Sequence, residues 1–218
     1  MLDEIVKQIE DSINVKNKII SDKELLKVIN EAASEIVTCY RNERKLLLCG
    51  NGGSAGDAQH IAGEMIARFR LERKALSAIA FNTNSSVVTA IGNDYEYNYI
   101  FERQVEAFGQ KGDVLISIST SGNSESVVRA IRKASEMGIK TVSLLGKDGG
   151  RCRDISDFSI IIPSSDTPRI QESHIMVGHI ICDIVERSLF GDLKLEVHSV
   201  KQCLISLIIT GHYSLNRT

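Results

Sequence analysis

The run Leu46-Leu47-Leu48-Cys49, broken at once by Gly50-Asn51-Gly52-Gly53-Ser54, constrains the fold more than any other part of this chain. Consecutive apolar residues without polar alternation read as a strand covered on both faces, as in a parallel sheet. A glycine-rich turn and then a helix from about Ala55 follow. That order gathers backbone N–H groups at a helix N-terminus, which suits an anion. His60 and Glu64 stand four apart on the same helix and so share a face. A phosphate-sized cradle beside a His/Glu pair points to chemistry on a phosphorylated small molecule.

The rest of the chain repeats the strand-then-helix pattern. Leu76 to Phe81, Asp113 to Ile118, Lys140 to Leu145 and Phe158 to Ile162 read as further strands. Helices are expected over Asn84–Gly92, Tyr97–Phe108, Glu125–Met137 and Gln171–Leu189. Before the first strand, Leu2, Ile5, Val6, Ile9 and Ile13 recur at helical spacing, as do Leu25, Leu26, Ile29, Ala32, Ala33, Ile36 and Val37. The expectation is an α/β fold: a doubly wound, five-stranded parallel sheet flanked by helices, with an N-terminal helical pair. Residues 1–190 form one domain that includes the helices of residues 1–42, and residues 191–218 are an extension of unknown role. Its apolar run Cys203–Ile209 is too short to span a membrane.

Composition narrows the function classes. A chain of 218 residues suffices for one well-buried α/β domain. A net charge of −2 gives no bulk attraction for nucleic acid. No apolar run approaches the roughly 18 residues of a membrane helix, and Met1-Leu2-Asp3-Glu4 does not open a signal peptide. Five cysteines without metal or redox spacing fit reduced, buried thiols in the cytoplasm.

Two further constellations carry chemistry. Ser119, Thr120, Ser121 and Ser124 crowd six positions between a strand and a helix, with Gly122 allowing a tight turn. One such hydroxyl would be an ordinary helix cap; four can surround phosphate oxygens. The loop has no lysine and no Walker spacing, so a sugar phosphate suits it better than a nucleoside triphosphate. The last helix carries Gln171, Glu172, His174 and His179 in an apolar setting. His60 with Glu64 could be a solvated surface pair, but Ile61, Ala62, Met65 and Ile66 make their helix largely apolar. A carboxylate near a buried face must be paired, protonated or metal-bound.

Cys49-Gly-Asn-Gly-Gly-Ser54, His60 with Glu64, Gly92-Asn93-Asp94, Ser119-Thr-Ser-Gly-Asn-Ser124, Gly146-Lys-Asp-Gly-Gly150 and Arg169-Ile-Gln-Glu-Ser-His174 occur in one order. In this the chain resembles the bacterial phosphoheptose isomerases of the sugar-isomerase (SIS) family, over roughly residues 1–190. The resemblance implies the SIS fold and isomerisation of sedoheptulose 7-phosphate to D-glycero-D-manno-heptose 7-phosphate. That is the first step toward ADP- or GDP-heptose for lipopolysaccharide, capsule or S-layer. It also implies a cytoplasmic homotetramer with sites between subunits, and one zinc per subunit. Residue by residue, substrate contacts fall on Asn51, Gly52, Gly53, Glu64, Asn93, Asp94, Ser119, Thr120, Ser121, Ser124 and Gln171. Metal ligands fall on His60, Glu64, Gln171 and His179, and the acid/base pair on Glu64 and His179.

Two tensions come with this assignment. A carboxylate held tightly by zinc is a poorer base, unless Glu64 offers one oxygen to the metal and the other to substrate. Gln171 and His179 are eight apart, about 12 Å along a helix, so both reach one metal only if the helix starts after Gln171 or if subunits share the site. Rival readings are a non-catalytic SIS regulator binding the replication initiator DnaA, a sugar-phosphate-sensing regulator, and an isomerase of another sugar phosphate. Retention of Glu64 and His179 argues against the first, and the lack of a DNA-binding segment against the second.

Overall fold

The computed structural model describes residues 1–191. Helices α1 (Leu2–Ser21) and α2 (Lys23–Arg41) are divided at Asp22, whose carboxylate accepts from Leu25 N at 2.9 Å and so starts α2. Then come β1 (Leu46–Gly50), α3 (Gly53–Ile66), β2 (Ala78–Ala80), α4 (Ser85–Asp94), a 3₁₀ turn (Tyr97–Tyr99) and α5 (Glu102–Phe108). The chain continues with β3 (Val114–Ser119), α6 (Glu125–Glu136), β4 (Lys140–Gly146), α7 (Gly150–Arg153), β5 (Phe158–Ile162) and α8 (Thr167–Phe190).

All five strands are parallel, in the order β2-β1-β3-β4-β5. The apolar runs alternate between two cores, one on each side of the sheet. Leu46, Leu48, Val114, Ile116, Val142 and Leu144 face α1, α2, α3 and α8. Leu47, Cys49, Leu115 and Leu145 face Phe81, Phe101, Val105, Val127 and Ile131. Burial on both sides explains why these strands read as unbroken apolar segments. The order reverses at β1, so the crevice for a ligand opens at the carboxyl ends of β1 and β3. The glycine loop and the hydroxyl loop leave those two ends.

Three local expectations are corrected. β2 is three residues long, not six. Among the described residues it is an edge strand paired only with β1; Leu76 N donates to Met65 O off the sheet, and Phe81 N makes the last ladder bond, to Leu48 O. The expected helix Tyr97–Phe108 breaks at Ile100–Phe101, where the buried Gln104 amide donates to the Ile100 carbonyl and ties it to Phe81 O. The last helix begins at Thr167, with Pro168 in its first turn, rather than at Gln171. The segment 192–218, with its run Cys203–Ile209, lies outside the described residues.

The cysteines at 39, 49, 152 and 182 are buried free thiols. Burial raises their pKa values, to about 12 for Cys39 and Cys182 and about 11 for Cys152, which keeps them unreactive. No helix among the described residues is long and apolar enough to cross a membrane.

Candidate active site

The cradle starts where β1 ends. Gly52 takes a φ of +57° as the N-cap of α3, a conformation that side-chain-bearing residues rarely adopt. Gly53 is required for a different reason: a Cβ there would lie 1.7 Å from the Gln171 Nε2 atom. Gln171 thus lies against the first turn of α3. A Cβ at Gly178 would likewise meet Ile61. Helices α3 and α8 therefore run in the same direction, with residue 53 opposite 171 and 61 opposite 178.

The second loop crosses to the first through Asn51. Its Nδ2 donates to Ser124 Oγ at 2.8 Å and to Ser126 Oγ at 3.0 Å. Ser124 stands at the N-cap of α6, yet its side chain makes no capping bond. Turn bonds within the loop account for Ser119, whose hydroxyl accepts from Gly122 N at 3.1 Å, and in part for Ser121, which accepts from Asn123 N at 3.3 Å. Gly122 is packed so closely on Gly149 that an added Cβ would sit 1.9 Å from its carbonyl oxygen, so the loop after β4 forms the outer wall. The N-termini of α3 and α6 both open here, and their N–H groups supply the positive potential that the missing lysine would otherwise give.

Farther along the α3/α8 contact, three side chains converge. His60 Nε2 and His179 Nε2 are 2.8 Å apart, and Glu64 Oε1 is 3.3 Å from His60 Nε2. All three offer ligand atoms within 4.8 Å of one another. Two imidazole nitrogens facing each other at this distance must either share one proton or present lone pairs to a cation. A His₂Glu set with a further open position is the donor set of catalytic zinc sites, so these residues fit the ion that the sequence implied. Gln171 is placed apart from them. Its amide lies at Gly53, seven residues before His60, or about 10 Å along α3. Because α8 already begins at Thr167, a late helix start does not bring Gln171 and His179 together.

Phe69 closes one side of the cluster, its ring centroid 5.6 Å from that of His179. A buried carboxylate holds it there. Glu186 accepts from the N–H groups of Phe69, Arg70 and Leu71 at 2.7–2.9 Å and from Arg73 Nε at 3.0 Å. Burial alone would raise the pKa of Glu186, but these four donors outweigh it and leave the group below the usual carboxylate range.

Asn93 and Asp94 end α4, a helix without a single buried residue, and Asn93 Nδ2 donates to Asp94 Oδ1 at 2.9 Å. Among the described residues neither bonds to the loops; Tyr97, three residues on, reaches Asn51 Oδ1 at 2.7 Å. Arg169 pairs with Glu172 at 3.2 Å and donates to Gln8 O, tying α8 to α1. His174 is fully buried and shares Leu145 O at 2.9 Å, away from the cluster. Tyr97, Ser126, Phe69 and Glu186 are additions to the sequence-derived set. Only Ser126, two residues after Ser124, carried a local signal; the partners of Glu186 lie more than a hundred residues away.

Residues 9–146 match the SIS domain family. The phosphoheptose isomerase of Clostridium acetobutylicum is 58% identical over 185 residues, covering 85% of this chain and 94% of that protein. The chain belongs to the SIS-domain family, among the phosphoheptose isomerases. Solved structures agree. Phosphoheptose isomerase GmhA from Neisseria gonorrhoeae superposes with a TM-score of 0.80 at 39% identity, over 85% of this chain and 99% of its own. A phosphoheptose isomerase from Francisella tularensis gives 0.82 at 36%, over 85% and 98%.

Proposed function

We propose that this protein is an isomerase that converts sedoheptulose 7-phosphate to D-glycero-D-manno-heptose 7-phosphate. The observation that carries the reading is the layout of α3. Its N-terminus opens into the two loops, and its second and third turns present His60 and Glu64 to His179, about 10–16 Å farther along. A long sugar phosphate requires such spacing, with the phosphate gripped at one end and C1 and C2 reacting at the other. The names of the relatives favour the same substrate and do not favour the DnaA-binding regulator.

The chemistry moves one proton between carbons and one between oxygens. Glu64 takes a proton from C1, giving the enediol, and returns it at C2. His179 protonates the oxygen on C2 and accepts the proton from the hydroxyl on C1 as the aldehyde forms. His60, Glu64 and His179 would hold a zinc ion, with a neighbouring subunit's Gln171 as the further ligand, and the ion would polarise the carbonyl as a Lewis acid. Glu64 can serve in both roles: Oε1 faces His60, and among the described residues no hydrogen bond engages Oε2.

The functional unit we propose is a cytoplasmic homotetramer with sites between subunits, acting without nucleic acid or membrane and feeding ADP- or GDP-heptose synthesis. Two features support the assembly. Ile5, Ile9 and Ile13 are at least half exposed along one face of α1 (56%, 56% and 50%), more apolar surface than an isolated chain usually leaves uncovered. A neighbouring subunit would also supply the second grouping that the separation of Gln171 from His179 calls for.

The test is turnover of sedoheptulose 7-phosphate, followed by NMR of the aldose phosphate. Glu64→Gln and His179→Gln should each lower kcat at least ~100-fold with the fold intact. Near-normal turnover in either variant removes that residue from the mechanism.

A further inference from the structure

Three segments far apart in sequence meet on one side-chain amide. Tyr97, from the 3₁₀ turn, places its hydroxyl 2.7 Å from Asn51 Oδ1. Asn51, from the glycine loop, donates through Nδ2 to Ser124 and Ser126 at the start of α6. The two serine hydroxyls are 3.3 Å apart, and Ser126 is buried. We propose that Tyr97 is a positioning residue for the phosphate cradle: it locks the Asn51 amide in the orientation that leaves the Ser124 hydroxyl proton free for a phosphate oxygen. This inference rests on the reading of the two loops as the phosphate site.

The argument is one of proton supply. A serine hydroxyl has one proton and two lone pairs, whereas a phosphate dianion only accepts. In the observed arrangement Ser124 Oγ accepts from Asn51, so its own proton stays available when Ser126 is the donor across the 3.3 Å contact between the two hydroxyls. If the amide turned over, Oδ1 would face the serines and Ser124 would spend its proton on Asn51. The phosphate would then lose a donor from a loop that has no lysine to replace it. The Tyr97 hydroxyl, a better donor than acceptor, opposes that turn by donating to Oδ1.

A packing role explains the tyrosine less well. Tyr97 is 56% exposed, and it follows α4, which buries no residue. Its defined polar contact is with Asn51. Asp94 and Asn93 lie three and four residues before Tyr97 and, among the described residues, make no bond to the two loops.

The experiment compares full-length wild type, Tyr97→Phe, Ser124→Ala and the double variant in the sedoheptulose 7-phosphate assay, with inorganic phosphate as competitor. Tyr97→Phe should raise KM about tenfold, the scale of one hydrogen bond to a charged group, and leave kcat within about twofold. The inhibition constant for inorganic phosphate should rise by the same factor, since only the phosphate end is affected. The melting temperature should not move. The double variant should be no worse than Ser124→Ala, because Tyr97 acts through that hydroxyl. An unchanged KM in Tyr97→Phe, or effects that add in the double variant, would overturn the positioning role. If wild type neither converts nor binds sedoheptulose 7-phosphate, this proposal and the functional reading fall together; a normal wild type with an indifferent Tyr97→Phe removes only the former.

Discussion

His174 should make this protein acid-sensitive on its own. The ring is fully buried on α8. Nε2 donates to Leu145 O at 2.9 Å, and among the described residues Nδ1 is buried without a partner. Burial pulls its pKa from 6.5 down to about 4, with the Leu145 bond opposing only in part. The folded state therefore keeps the ring neutral at pH values where the unfolded chain has already taken up a proton. Nothing is lost above about pH 6.5, and stability falls as the pH drops from there toward 4. With these two values, linkage gives a loss of about 2 kcal/mol between pH 7.5 and pH 5, a large share of a typical domain's stability. His174→Gln keeps an amide donor where Nε2 stands and does not titrate. Its imperfect fit should cost about 1 kcal/mol at pH 7.5, so the two stability curves should cross near pH 6. Urea unfolding of both proteins at pH 7.5, 6 and 5, at one fixed subunit concentration, gives the difference directly. The other four histidines are common to both proteins and cancel. A His174→Gln variant that loses stability as steeply as wild type over this range would refute the reasoning.

Two further outcomes concern the metal and the assembly. Protein purified without added metal should carry about one zinc per subunit, and His60→Ala should lose it, as loss of one of a few ligands predicts; metal-free protein that stays fully active with chelator would confine His60 to a structural role. Ile5→Lys with Ile9→Lys should dissociate the proposed tetramer and abolish activity together, read by sedimentation and turnover, whereas a fully active monomer would remove both the interface and the shared site.

The sheet was legible because its strands are buried on both sides. Leu46–Cys49 and Val114–Ser119 have no exposed position, so their sequences carry no polar alternation and could only be central parallel strands. β2 was overread for the opposite reason. Leu76 and Phe81 are as apolar and buried as ladder residues, but Leu76 N bonds to Met65 O off the sheet, and Phe81 N makes the final bond to Leu48 O, one residue past the last paired position Ala80. The short helix α7 left no trace of its own. It is four residues long, and the loop ahead of it is fixed by contact between Gly122 and Gly149, which no local pattern records. The pairing of His60 with Glu64 was visible as a four-residue interval. That His179 would join them depended on α3 and α8 packing in the same direction. The Glu186 carboxylate, which seats Phe69 against His179, is invisible to any spacing rule because its donors come from a loop on the other side of the site.

The serines show why a motif and its geometry are different kinds of information. Ser119 and Ser124 belong to the same six-residue loop and look equivalent as sequence. In the fold, Ser119 closes a turn onto Gly122, while Ser124 occupies a capping position and does not cap. What separates them is Asn51, which reaches across from the neighbouring strand end because β1 and β3 are adjacent in the sheet and their loops leave it side by side. The topology thus decides which hydroxyl is held by its own loop and which is held from across the cradle. Glycine at 53 follows from the same layout, since it leaves room for Gln171 at the point where α8 passes the cradle. A residue that reads in the sequence as part of a phosphate loop is thus fixed by a helix more than a hundred positions later.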